Sequence, residues 1–139
     1  MKKMMIALSV LLLGCTAGED LYPEIEAAEA GETVQTEYLS FCVESAEYDA
    51  ETLYTEILIT DTFPQQITVF DTDFWLYTGE GTDVLYPAEE QEIRLSAEES
   101  GTLKLAYRAP KQKEYILGYM DVREDGVTGD TYYVRIKVK

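Results

Sequence analysis

Tyr132-Tyr133-Val134-Arg135-Ile136-Lys137-Val138-Lys139 closes the chain in strict alternation. Tyr132, Val134, Ile136 and Val138 fall on one side, and Tyr133, Arg135, Lys137 and Lys139 on the other. Successive side chains of a strand point to opposite faces, so the stretch predicts a strand with one apolar and one solvated face. Thr102–Arg108 repeats the pattern, with Leu103, Leu105 and Tyr107 inward and Lys104 and Arg108 outward. Leu53–Thr60 sets Leu53, Ile57 and Ile59 against a half-apolar face carrying Tyr54 and Leu58. Tyr115–Met120 is apolar on both faces, as a central strand should be. Ile67–Phe70 and Phe74–Tyr77 are two short apolar runs separated by Asp71-Thr72-Asp73. Glu and Ala in Ala88–Ser100 could support a helix. The alternation of Ile93 and Leu95 predicts instead a strand over Glu92–Leu95, then a turn over Ala97–Gly101.

Turn signals separate these runs at Phe63-Pro64-Gln65, Gly79-Glu80-Gly81, Tyr86-Pro87, Ser100-Gly101 and Ala109-Pro110, and Gly126–Asp130 reads as a loop. Seven or eight short strands at this spacing predict an all-β fold, an antiparallel immunoglobulin-like β-sandwich. The sandwich is expected over residues 34–139, after a signal peptide at 1–14 and an acidic tether at 15–33. A strand, a short polar loop and an aromatic-led strand occur in Leu53–Thr60 and Asp71–Tyr77. A Gly-x-Leu-x-Leu stretch runs through Gly101–Pro110, followed by Tyr115-Ile116-Leu117. This order resembles small secreted bacterial lipoproteins with an immunoglobulin-like domain of unknown function, similar in fold to a mycobacterial immunoprotective extracellular antigen. The resemblance implies a fold and a location, and it carries no catalytic residues.

At the other terminus, Met1-Lys2-Lys3 precedes an apolar run from Met4 to Leu13, which ends in Leu12-Leu13-Gly14-Cys15. A basic start, a run too short to span a bilayer (roughly 20 residues are needed) and a small residue before cysteine make a cleavable signal. These residues resemble the lipobox of bacterial lipoproteins. The resemblance implies cleavage between Gly14 and Cys15, and a thioether-linked diacylglyceryl group with added palmitate on Cys15. Two or three buried acyl chains anchor stably where one is marginal. The implied location is the cell envelope. That means the outer membrane or cell surface in a Gram-negative cell, and the outer face of the plasma membrane in a Gram-positive one.

Charge is abundant and uneven. The formal net charge is −16, and without Lys2 and Lys3 nine basic residues face 27 acidic ones. From Cys15 to Glu92 there is no Lys or Arg against 20 Asp and Glu; from Ile93 to Lys139 there are nine basic and seven acidic residues. Phosphate binding needs clustered cations, so nucleic acid is excluded as a partner. An acidic surface suits a basic protein or peptide, although neighbouring strands from the two halves can also offset each other.

The chain contains no histidine, which removes Ser-His-Asp catalysis and His-based metal sites. With Cys15 lipidated, Cys42 is left without a disulfide partner and is expected to be a buried structural residue. Asp121–Gly126 has the Gly of a calcium-binding EF-hand loop, but Arg123 stands at a ligand position and Tyr132 where the bidentate Glu belongs. Asp71 and Asp73, with Asp61, are weak candidates for a cation; solvated loop acids are the plainer reading. Trp75 and Tyr77 share a strand face opposite Phe74 and Leu76, so one pair is core. A lone Trp in a sandwich more often points inward; pointing outward, Trp75 and Tyr77 would form an aromatic platform for a glycan or peptide. The functional expectation is a lipid-anchored envelope binding or interaction module, not an enzyme, without a cofactor. An acidic inhibitor of a cationic protein such as lysozyme, and a structural or antigenic surface stalk, are the alternatives.

Overall fold

The computed structural model describes residues 21–77, 84–122 and 128–138. They form strands β1 (Ala28–Glu29), β2 (Thr33–Gln35), β3 (Leu39–Asp49), β4 (Thr52–Asp61), β5 (Ile67–Phe70), β6 (Phe74–Tyr77), β7 (Val84–Leu85), β8 (Glu92–Leu95), β9 (Ser100–Arg108), β10 (Glu114–Val122) and β11 (Thr128–Lys137). A 3-10 turn at Asp71–Asp73 joins β5 to β6. One sheet has the order β1-β11-β10-β6-β7 and the facing sheet β2-β3-β4-β9, while β5 and β8 pair as a separate ribbon. Every pairing is antiparallel except that of β1 with β11. With β3, β4, β6, β9, β10 and β11 as strands A, B, C, E, F and G, the sheets read A-B-E and G-F-C, an immunoglobulin-like distribution.

The alternation read from the sequence fills the space between the sheets. Phe41, Val43, Leu53, Ile57, Ile59, Leu103, Leu105 and Tyr107 enter from one side and Phe74, Leu76, Tyr115, Leu117, Tyr119, Val134 and Ile136 from the other, all buried. Each such side chain contributes on the order of 1.5–3 kcal/mol by leaving water. The Phe41 ring meets Phe74 edge-on at 5.4 Å and Tyr119 at 5.2 Å. The Tyr107 hydroxyl donates across the sandwich to the Phe74 carbonyl at 3.1 Å, and burial raises its pKa well above the usual tyrosine range. At the β9–β10 corner the Tyr115 hydroxyl donates to the Pro110 carbonyl (2.7 Å) and accepts from the Gln112 N–H (2.9 Å). That is the tyrosine corner of immunoglobulin sandwiches, and it fixes where the loop turns back into β10.

Several expectations need correction. Strands beyond the expected seven or eight arise because β1, β2 and β7 are two or three residues long, too short for an alternation to show. Among the described residues, the part of the stretch read as tether from Leu21 onward packs on the sandwich and supplies β1 and the first residue of β2. Residues 1–20 lie outside the described residues, and with them Gly14 and Cys15. Trp75 points outward, because Phe74 and Leu76 take the core positions of β6. Cys42 is only half-buried, since it pairs with Thr33 and Leu58 on the outer side of its sheet. Partial burial, with Glu44 nearby, raises the Cys42 pKa against an opposing Gly31 N–H bond, the reverse of an activated thiol.

Leu105 sits at the centre of the apolar layer, 1% exposed. Leu105→Ala should cost about 2–5 kcal/mol in urea unfolding, the cavity adding to the lost transfer energy.

Candidate functional site

The outer face of the β11-β10-β6 sheet carries the least ordinary chemistry. Outward positions of β10 are Glu114, Ile116 and Gly118, opposite Lys137, Arg135 and Tyr133 of β11 and, for the last two, Tyr77 and Trp75 of β6. Such a face normally meets water, yet Glu114 is 1% exposed, Ile116 0% and Arg135 6%. The cover is a strap of the chain itself, Leu21–Ile25. Glu114 Oε2 accepts the Leu21 N–H at 2.8 Å and the Tyr22 N–H at 3.1 Å. Arg135 Nη2 donates to the carbonyls of Tyr22 (2.8 Å) and Ile25 (3.0 Å). Between the two, Arg135 Nε lies 3.3 Å from Glu114 Oε1, an ion-pair contact rather than an aligned hydrogen bond. Glu29 approaches Arg135 Nη1 at 3.8 Å. Two opposite charges thus clamp one strap of backbone, matching its N–H groups to the carboxylate and its carbonyls to the guanidinium.

Trp75 and Tyr77 are brought together on this face of β6, and the strap reaches Tyr77. The Tyr22 ring meets Tyr77 edge-on at 5.3 Å. The indole of Trp75 lies over Gly118, where a Cβ would stand 2.6 Å from Trp75 Cε2, so this seat requires glycine. Of the two aromatics read as a ligand platform, Tyr77 is thus partly taken up by the strap, while Trp75 lies half-buried on the sheet. Beside it, a shallow cavity of about 210 Å³ is lined by Leu76, Tyr77, Leu85, Ala109, Pro110, Gln112 and Tyr115. It is smaller than the roughly 300–1,000 Å³ of typical small-molecule pockets.

The second feature is the end of the sandwich where β4 and β10 finish. Asp121 is buried and accepts from Thr36 Oγ1 (2.9 Å), the Glu37 N–H (3.1 Å) and the Tyr119 hydroxyl (3.0 Å). These bonds tie the lead into β3 to the far end of β10. Asp61 is buried too, with Oδ1 on the Phe63 N–H at 2.8 Å and its backbone paired with Glu98 and Glu99. Asp73 accepts the Phe70 N–H at 3.0 Å. Burial pushes its carboxyl up to about 6, against that hydrogen bond and with help from Asp71 and Asp121. Burial raises the Tyr132 pKa, with Asp121, Asp130 and Glu37 adding to it. Segments 36–38, 61–63, 71–73, 96–100, 120–122 and 128–131 carry Glu37, Asp61, Asp71, Asp73, Glu98, Glu99, Asp121 and Asp130, and no Lys or Arg. Arg123, Glu124 and Asp125 lie outside the described residues. Among the described residues, no three His, Cys, Asp or Glu converge as a metal-binding set, and no helix is long and apolar enough to cross a membrane. Asp71 and Asp73, the weak cation candidates, sit in the 3-10 turn, where Asp71 is buried.

The opposite end, where β9 and β11 finish and β10 begins, holds Arg108, Lys111, Lys113 and Lys137 against Asp49 and Glu51 of the β3–β4 turn and Glu24 of the strap. The clamp brings the start of the folded chain to this same end. Sequence reasoning put Trp75 and Tyr77 on a shared strand face, favouring Trp75 inward, and singled out the loop acids. It missed Glu114, Arg135 and Asp121, because a charge alternating outward from a strand ordinarily reads as solvated.

No protein-family model and no curated protein matches the chain. Among solved structures, the fold is similar to that of ycdA, a candidate lipoprotein from Bacillus subtilis, with 17% identity and a TM-score of 0.60 over 78% of this chain. The chain spans 39% of that structure's length. It is also similar to the yjhA protein from Bacillus subtilis, with 16% identity and a TM-score of 0.60, covering 81% of this chain and 99% of that one. At these identities the likeness is one of fold: an all-β sandwich shared with a candidate lipoprotein.

Two outcomes follow from the buried charges. Arg135→Met leaves Glu114 shut in without its partner, and should cost about 3–5 kcal/mol in urea unfolding, against 1 or less for a surface pair. Asp73 has a folded pKa above its unfolded value, so the folded state holds its proton as pH rises from about 4 to about 6, and stability is lost across that window. Asp73→Asn keeps an acceptor for Phe70 and should flatten this pH dependence. Its gain at neutral pH should be on the order of 1–2 kcal/mol, with screening of a part-exposed group allowed for.

Proposed function

We propose that the chain is a lipid-anchored module of the bacterial cell envelope that binds a cationic protein or peptide through the acidic end of its sandwich, without catalysis. The observation that carries this is the separation of the two ends. The acids gather where β4 and β10 finish, and the folded chain starts at the opposite end. Leu12-Leu13-Gly14-Cys15, with the fold similarity to a candidate lipoprotein, supports lipid attachment at Cys15. An anchor there would hold the acidic end away from the membrane. The strap's hold on Tyr77, where Tyr22 meets its ring, leaves less of that face open to a small ligand. An acidic field speeds encounter with a basic partner and weakens as salt screens it.

Cys15→Ser expressed in a bacterial host should lose lipid labelling and leave the membrane fraction; retention there with the signal cleaved would contradict the anchor. With lysozyme as a cationic probe, association with the chain should slow as ionic strength rises. It should also slow in the Glu37→Gln/Glu98→Gln/Glu99→Gln variant, and equal rates in that variant would contradict the acidic end as the binding surface.

A further inference from the structure

We propose that the end of the sandwich bearing Arg108, Lys111, Lys113 and Lys137 docks on an anionic lipid surface, so that the domain is held upright on its membrane. The inference rests on the lipid-anchored reading and adds a surface to it. All four side chains are exposed. Arg108 ends β9, Lys111 and Lys113 lie in the turn to β10, and Lys137 ends β11. The Val138 N–H donates to the Lys113 carbonyl at 3.0 Å, which joins the β11 end to that turn. Asp49, Glu51 and Glu24 border the group without outnumbering it, whereas the far end carries acids alone among its described segments.

Placement of the chain's start selects the membrane as occupant. Leu21, itself exposed, is bonded to Glu114, the residue after Lys113. Five residues lie between Cys15 and Leu21, and the six steps from one to the other span at most about 20 Å. An anchor at Cys15 would therefore keep this end within about two Debye lengths of the headgroups. Each Lys or Arg near an anionic leaflet favours the surface by about fivefold. The acidic end is repelled by the same leaflet, so attraction and repulsion select one orientation.

The full chain reconstituted in vesicles tests this. In a Cys42→Ala background, a fluorophore is placed at Pro110→Cys or at Ala97→Cys, with a headgroup-quencher lipid in the bilayer. Vesicles are phosphatidylcholine alone or mixed with phosphatidylglycerol. The label at 110 should be quenched more strongly on the anionic vesicles and the label at 97 should not respond. Lys111→Glu/Lys113→Glu should lower the docked-to-undocked ratio by at least about tenfold. Equal quenching on both vesicle types, equal quenching at both labels, or indifference to charge reversal would overturn the docking. Flotation with phosphatidylcholine vesicles in high salt reads the anchor alone. A chain that fails to float overturns the lipoprotein reading and this inference together; one that floats with composition-blind labels overturns the docking only.

Discussion

The Glu114–Arg135 pair is the contact on which the arrangement of this molecule depends. Both charges lie under the strap at the start of the folded chain, and both spend hydrogen-bonding capacity on its backbone. An ion pair shut away from water gains little net stability, because desolvation opposes the attraction. Its effect is positional: the carboxylate selects N–H groups, the guanidinium selects carbonyls, and only one path of the strap satisfies both. The strap in turn buries Ile116 and seats Tyr22 on Tyr77, so a face of β10 that would otherwise meet water becomes interior.

From that constraint the molecule acquires a direction. Its first described residues lie beside the cations of the β9–β10 turn, and the acids of Thr36–Tyr38, Asp61, Asp73 and Ser96–Glu99 gather at the far end. Asp121 fixes that far end as the clamp fixes the near one, by accepting from three donors on two elements. The carboxyl of Asp73 is pushed up to about 6, first by burial and then by Asp71 and Asp121, and marks where holding acids at this end becomes costly. Like charges held together at one end, despite that cost, suit a surface that meets opposite charge.

Much of the sandwich was legible because its long strands each bury one face. β5, β6 and β8 fall on the runs read as strands, and the inward sets of β4, β9 and β11 are those the alternation gives. What escaped has physical causes. In β3 a bulge between Val43 and Ser45 shifts the inward set from Phe41 and Val43 to Ala46 and Tyr48, which breaks the period. The β3–β4 turn uses Ala50 and Glu51 at positive φ (51° and 67°), positions that glycine or asparagine usually signals. β1 pairs in parallel with β11 through two residues, too few to leave a pattern. The candidate site was the least legible part. Trp75 and Tyr77 were placed on a shared face, but nothing local to Arg135 or Glu114 reveals that residues about a hundred positions away cover them.

The central claim is that the strap is an integral layer of the fold, fixing the end from which the chain departs. Amide hydrogen exchange at Leu21 and Tyr22 tests it most directly, since it reports how often the bonds to Glu114 open. If the clamp holds as described, both amides should exchange as slowly as those of Ile116 and Leu117 in the underlying strand, and together with them. Exchange at the rate of an unprotected chain, while β10 stays protected, would show the strap detached and would contradict the claim.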